Sequence, residues 1–399
     1  MTLTLLLDLD DTLLDTHLAD FVPAYFGALS QHLAPWVRPE LLTGALVAGT
    51  RSMTENRDPT QRLQEVFEAV FYPRIGVGED EIAEAVRDFY ERQFPTLRRL
   101  TTPKPEAQAF VAWARQRGHR LAIATDPLFP QAATHERIRW AGFEPEDFDL
   151  ISTFEDFHFS KRQPAYFAEL VGRLGCPDGP IVMVGDDLDR DILPAREVGL
   201  LTHYLNGHGP ADDPRRTGPC GDLHSLQAWI QGGGPDRDAK LPTTRESLLS
   251  TMLATPAALQ GMSRELRDAD WRFVTAPDDW SLVELTCHLR DVELEIHRTQ
   301  IDLFKSQLEP FIPRPDAGVW ARQRPYRTED GAQALREFAD ARVATLRVLG
   351  EIAVDDWRRP ARHAIFGPTT FLEVISFMAE HDRLHIQQAW KILRAQTLT

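Results

Sequence analysis

The stretch LLLDLDDT, from Leu5 to Thr12, runs an apolar strand straight into Asp8, Asp10 and Asp11. An unbroken apolar run reads as a strand buried on both faces rather than one with a wet side. Carboxylates packed this closely repel one another, and an apolar strand end strips them of water. Such a cluster is tolerable only where a cation or a reaction completes it, so the other strand ends must be read with it.

Three further short apolar runs have the same character: RLAIATD at 120–126, IVMVGDD at 181–187 and LLTHYL at 200–205. Helical patterns lie between them, PEAQAFVAWARQRG at 105–118 and PAYFAELVGRLG at 164–175, each closing on Gly as helix C-termini often do. This alternation predicts an α/β fold with a doubly wound, Rossmann-like parallel sheet over residues 1–230. From about Leu13 to Phe94 the strands stop. FVPAYFGALSQHL, PTQRLQEVFEAVF and EDEIAEAVRDFYERQF carry apolar residues at helical spacing, so an all-helical insertion is expected over 13–94. Segment 231–244, QGGGPDRDAKLPTT, has no periodic apolar pattern and reads as a linker. Beyond it no strand is predicted. Helical patterns near 245–268, 280–306, 329–352 and 370–394 predict an all-α, antiparallel four-helix bundle over 245–399.

Strand ends of a doubly wound sheet face the ligand crevice. Strand one supplies Asp8, Asp10 and Thr12 in the order DxDxT, IATD supplies Thr125, FHFSKRQP supplies Lys161, and VGDDLDRDI supplies Asp186, Asp187 and Asp191. These groups suit phosphoryl transfer. One carboxylate can attack phosphorus and form an aspartyl-phosphate. A second, two residues on and on the same side of an extended chain, can protonate the leaving oxygen and then activate water. A hydroxyl and a lysine can hold phosphoryl oxygens, and a hard cation, Mg²⁺, would offset the clustered charge.

DLDDT with the downstream T, K and GDDLDRD resembles the haloacid dehalogenase-like (HAD) superfamily over about residues 1–230. The resemblance implies Asp8 as nucleophile, Asp10 as general acid and base, and Thr125 and Lys161 on the phosphate. It implies Asp8, the Asp10 carbonyl and Asp186 as Mg²⁺ ligands, with Asp191 supporting them and the helical insertion acting as a cap. Haloacid dehalogenases themselves lack the second aspartate, having no leaving oxygen to protonate. Asp10 therefore favours a phosphatase over a dehalogenase, while a phosphomutase stays a lesser alternative. Two positions depart from the family's pattern: Asp126 stands where many members place Asn, and Arg162 follows Lys161 in place of Pro. Asp187 and Asp189 read as solvated loop residues and His17 as a surface histidine.

The second constellation lies in EHDRLHIQQAW, where His381 and His385 share one helix face. It is not HExxH, because Asp382 follows the first histidine, so a zincin-type protease is not indicated. Antiparallel packing could bring His288, from DDWSLVELTCHLRDVE, beside the pair and leave an open position for water or substrate. W-S-x-x-E-x-x-x-H-L followed by H-D-x-x-H resembles the DinB-like four-helix bundles over about residues 245–395. That resemblance implies a divalent metal, Zn²⁺ or Ni²⁺, on His288, His381 and His385. The bundle then has two competing roles, a metal- and thiol-dependent transferase or a dimerisation and binding module through which a homodimer could form. His297, His363 and Cys287 read as bystanders.

Composition limits the partners. Of 399 residues, 60 are acidic against 44 basic, a formal charge of −16 that disfavours nucleic acid or an anionic membrane as the main partner. Three widely spaced cysteines form no disulfide framework or CxxC metal site. The run Leu3–Leu7 is too short for a signal peptide and has no basic flank, the first Lys or Arg being Arg38. No stretch approaches the ~18 apolar residues of a membrane span. A cytoplasmic enzyme acting on a small phosphorylated metabolite is the expectation.

Overall fold

The computed structural model describes residues 2–205, 213–238 and 244–397. The chain divides into two compact units, Met1–Arg57 with Gln61–Phe167 and Asp178–Leu241, and Asp58–Thr60 with Ala168–Pro177 and Pro242–Thr399.

The strands of the first unit are β1 (Thr4–Leu7), β2 (Leu14–Thr16), β3 (Thr101–Pro103), β4 (Arg120–Ile123), β5 (Leu150–Ile151), β6 (Ile181–Gly185), β7 (Leu201–Leu205) and β8 (Cys220–Gly221). Six of them form a parallel sheet in the order β5-β4-β1-β6-β7-β8. Chain order reverses at β1, which pairs Leu7 with Ile123 of β4 on one side and with Val184 of β6 on the other. Ligand crevices form at such a switch point, outside the carboxyl ends of the strands. The central position explains the composition of β1: Leu5, Leu6 and Leu7 are fully buried. Each fully buried leucine is worth about 1.5–3 kcal/mol relative to exposure.

The insertion after β1 is helical, but it is framed by a hairpin that the sequence reading left out. β2 and β3 pair antiparallel, Leu14 with Pro103 and Thr16 with Thr101, and form the stem through which the chain leaves and re-enters the core. Three residues is too short a run for a periodic signal. Asp11 starts this turn. It adopts φ 57°, a left-handed conformation that Asp tolerates better than most residues, and its carboxylate accepts the Thr16 amide at 2.8 Å. Helices Leu18–His32, Pro39–Glu55, Leu63–Ile75 and Glu79–Asp88 build the cap, the second of them unpredicted.

Residues 231–238 also differ from expectation. The short helix Gly234–Asp238 follows helix Leu223–Gln231, and the linker residues 239–243 lie outside the described residues. The second unit is the expected four-helix bundle, with long helices Arg245–Ser263, Leu282–Val292, Gly331–Glu351 and Phe371–Thr397. The second of these runs through a π-helical turn, Glu293–His297, into helix Arg298–Ser306. Strands do occur here, against expectation: β9 (Phe311–Ile312), β10 (Pro360–His363) and β11 (Gly367–Thr370) form a three-stranded sheet in the helix connections. Each has at most four residues, too few to alternate visibly. Among the described residues no helix is long and apolar enough to cross a membrane.

Candidate active site and metal centre

The carboxyl ends of β1, β4 and β6 bring Asp8, Thr125 and Asp186 to one cavity of about 570 Å³, which Asp10, Lys161 and Asp191 also line. Lys161 is the hub. Its Nζ stands 2.5 Å from Asp8 Oδ1 and 2.6 Å from Asp191 Oδ1, and the ammonium is almost wholly buried. Burial disfavours that charge, yet Asp191 and Asp8 outweigh it and hold the lysine cationic above its ordinary range. Burial and the crowding of Asp191 and Asp11 push Asp186 up to about 7. Asp8 is raised as well, chiefly by burial.

Asp8, Asp186 and Asp191 each offer an oxygen within 4.8 Å of the others. One ammonium stands among three carboxylates and pairs with two of them, Asp8 and Asp191, so the cluster is short of positive charge. Its donors are all hard oxygens, the set that Mg²⁺ prefers. The close approach is built in at Gly185, where a Cβ would meet Asp191 Oδ2 at 2.1 Å. Asp191 is further held by accepting the Asp187 amide at 2.9 Å. These residues fit a divalent cation.

The Asp10 side chain does something else. It is ion-paired to Arg137, a fully buried residue of helix Gln131–Trp140, and is not part of the carboxylate triplet. The Arg137 guanidinium also lies 4.7 Å from the Phe129 ring centroid. Sequence reading gave no hint of this arginine, because HERIRW looks like any surface turn of helix. Asp126 takes a structural part: its Oδ1 accepts the Lys161 amide at 3.0 Å, so the acid that replaces Asn tethers the lysine loop. The Thr125 carbonyl is held by the Ser152 hydroxyl at 2.7 Å and the Tyr166 hydroxyl at 2.9 Å. Asp187, expected to be solvated, is half-buried and caps the following turn by accepting the Asp189 and Arg190 amides at 2.8 and 3.1 Å. Asp189 and His17 are exposed, as expected.

In the bundle, His288 comes from helix Leu282–Val292 and His381 and His385 from helix Phe371–Thr397. The Nε2 of His381 lies 3.2 Å from that of His288 and 3.2 Å from that of His385. Ser281 and Glu284, read above as part of a motif, form a capping box that starts the first of these helices. Trp280 stacks parallel to His385 at 5.9 Å. Burial, reinforced by the neighbouring imidazoles, lowers His288 to about 3 and His385 to about 4, and burial lowers His381 too. Neutral imidazoles converging on one point are ready to bind a metal without first losing protons.

Beneath the triad runs a fully buried ion network. Arg342 reaches Asp382 Oδ2 at 2.5 Å and Glu293 Oε2 at 2.9 Å, and donates to the Met252 carbonyl at 2.9 Å. Glu293 also bonds His297 Nδ1 at 2.9 Å, and the His297 ring stands edge-on to His381 at 5.6 Å. His297 is therefore no bystander in placement. His363 accepts backbone amides of Ile365 and Phe366 in its own turn, and Cys287 is buried in the bundle core.

Residues 2–199 match the family described as haloacid dehalogenase-like hydrolase, and residues 252–389 match the DinB superfamily. The chain is 28% identical over 132 residues to the glyceraldehyde 3-phosphate phosphatase of Methanocaldococcus jannaschii, covering 31% of this chain and 57% of that protein. It is 28% identical over 145 residues to the phosphoserine phosphatase of Thermus thermophilus, covering 36% and 57%. The chain thus spans little more than half the length of these relatives. Among solved structures it is similar to YfiT from Bacillus subtilis, which has an unusual four-helix bundle topology, at 15% identity and a TM-score of 0.36, covering 40% of this chain and 92% of that one.

Proposed function

We propose that this chain, whose residues 2–199 belong to the haloacid dehalogenase-like hydrolases and whose residues 252–389 belong to the DinB superfamily, is a phosphomonoester hydrolase that also carries a metal centre on its bundle. The observation that carries the first part is Lys161 clasped between Asp8 and Asp191 at the mouth of β1, with Thr125 and Asp186 in the same cavity. Asp8 attacks phosphorus and forms an aspartyl-phosphate as the alcohol leaves. Asp10, oriented by Arg137, takes up a proton from solvent before the chemical step, gives it to the leaving oxygen and later takes one from the attacking water. Water attack on the acyl phosphate restores Asp8 and releases phosphate. Lys161 and Thr125 hold the phosphoryl oxygens. Asp8, Asp186, Asp191 and the Asp10 carbonyl would hold Mg²⁺, which supplies charge neutralisation between the carboxylate and the phosphate. Glyceraldehyde 3-phosphate and phosphoserine, named for the two relatives, are both small phosphate esters, in keeping with a small substrate here.

The test is inorganic phosphate release from 4-nitrophenyl phosphate with Mg²⁺, comparing the native protein with Asp8→Asn. Release that needs Mg²⁺ and disappears in the variant supports the mechanism; release that survives the substitution overturns it.

The three Nε2 atoms carry the second part: His288, His381 and His385 would hold Zn²⁺ or Ni²⁺ and leave a position open for a further ligand. Metal analysis of purified protein checks this. One divalent ion per chain that is lost in the His381→Ala and His385→Ala double variant is the expected result.

A further inference from the structure

The cavity in front of Asp8 has two walls of opposite character. The carboxyl-end wall carries all of its charge. The cap wall is contributed by Leu18, Val22, Tyr25, Phe26 and Thr50, and among the described residues it brings no charged group. Leu128 and Phe129 continue this face from the loop after β4. The one phenol on it is already engaged, the Tyr25 hydroxyl lying 2.6 Å from that of Tyr90.

The cations near the cavity stand on its carboxyl-end side or behind it, and among the described residues none is on the cap wall. Lys161 is bound between Asp8 and Asp191. Arg190 lies 3.6 Å from Asp187 with its Nε making no hydrogen bond, and Arg215 bonds Asp189 at 2.7 Å and Asp213 at 2.8 Å. Arg137 is paired with Asp10 and shielded behind the Phe21 and Phe129 rings. A second anionic group set against the cap wall would lose its water against apolar side chains and, among the described residues, meet no positive charge on that wall, which is a steep penalty. An apolar group in the same place gains from burial.

Resting on the phosphatase reading above, we infer that the cap wall selects phosphate esters whose alcohol portion is uncharged and apolar, and rejects those bearing a carboxylate. Val22 and Phe26, half-buried on the cap helix Leu18–His32, are the specificity-determining positions.

A matched pair of esters tests this without changing the leaving oxygen: 4-methylpentyl phosphate, and the phosphate ester of 4-hydroxybutanoate, in which a carboxylate replaces the isopropyl end. The expected result is a kcat/KM for the apolar ester at least about tenfold higher, the scale on which apolar pockets discriminate. Val22→Lys, which places a cation on the cap wall, should shift the ratio toward the carboxylate ester by at least about tenfold, mainly through KM. Leu18→Lys on the same wall repeats the test if thermal melting shows that Val22→Lys is unfolded. Equal use of both esters, or preference for the carboxylate ester by the native protein, overturns the inference and leaves the phosphatase reading intact. Failure to release phosphate from any ester, 4-nitrophenyl phosphate included, overturns both.

Discussion

The two sites solve the same problem, several polar groups crowded together away from water, in opposite ways. At the end of β1 the groups are carboxylates, and a buried cation, Lys161, sits among them. In the bundle they are imidazoles, which burial and mutual repulsion leave without their protons. The first arrangement keeps a buried cation among carboxylates that burial and crowding push toward protonation, and is short of one further cation; the second becomes neutral and offers lone pairs. Hard oxygens with a charge deficit suit Mg²⁺, whereas neutral nitrogens suit a softer divalent ion. The bundle keeps its charge one layer back, in the sealed Glu293–Arg342–Asp382 network.

The comparison can be broken first at the proposed nucleophile. Asp8→Asn keeps the shape of the cavity and removes the oxygen proposed to react, so phosphate release should fall at least about 1,000-fold, about 4 kcal/mol of barrier. Metal content of the bundle, measured on the same sample, should not change.

The two buried cations come next. Arg342→Met strands Asp382 and Glu293 without a partner, and the bundle should lose about 3–5 kcal/mol in chemical denaturation, with no recovery on adding metal. Lys161→Met also strands carboxylates, but in an open cavity. There, added Mg²⁺ should raise the melting temperature of the variant more than that of the native protein. Equal responses to Mg²⁺ would remove the distinction between an open and a sealed acid cluster.

Neutralisation by deprotonation also occurs in the α/β unit, at His203 of β7, which burial lowers to about 4 with partial opposition from Asp222. The unfolded imidazole titrates near 6.5, so between pH 6.5 and 4 the unfolded chain binds the extra proton. Stability is full above that window and falls as the pH drops through it, by up to about 3 kcal/mol. His203→Phe should flatten the pH dependence of unfolding between pH 7 and 4; an unchanged slope would show that other groups set it.

The smallest effect expected is at the start of the helix that carries His288. Ser281→Ala removes the cap bond to the Glu284 amide and should cost about 1 kcal/mol of bundle stability while leaving metal stoichiometry unchanged.

How much of this was legible differs between the elements. β1, β4, β6 and β7 stood out because buried parallel strands are short apolar runs with sharp polar ends. β2, β9 and β11 did not, since two to four residues cannot display a period. The helical cap was visible as a loss of strands, but the hairpin that hinges it rests on Asp11 in a left-handed turn, and a third Asp after DLD reads simply as more acid. Asp126 stood out only as a departure from the family's pattern; in the structure its oxygen is used by a backbone amide.

The sequence by itself determined which residues stand at the strand ends and that His381 and His385 share a helix face, because both follow from the period of the local backbone. Only the tertiary structure decided which charge answers which. Arg137 and Arg342 are ordinary helical arginines in the sequence, and their partners lie 127 residues before and 40 residues after them, Asp10 and Asp382. A buried charge is stabilised by whatever packing brings within a few ångströms, and no local pattern records that choice.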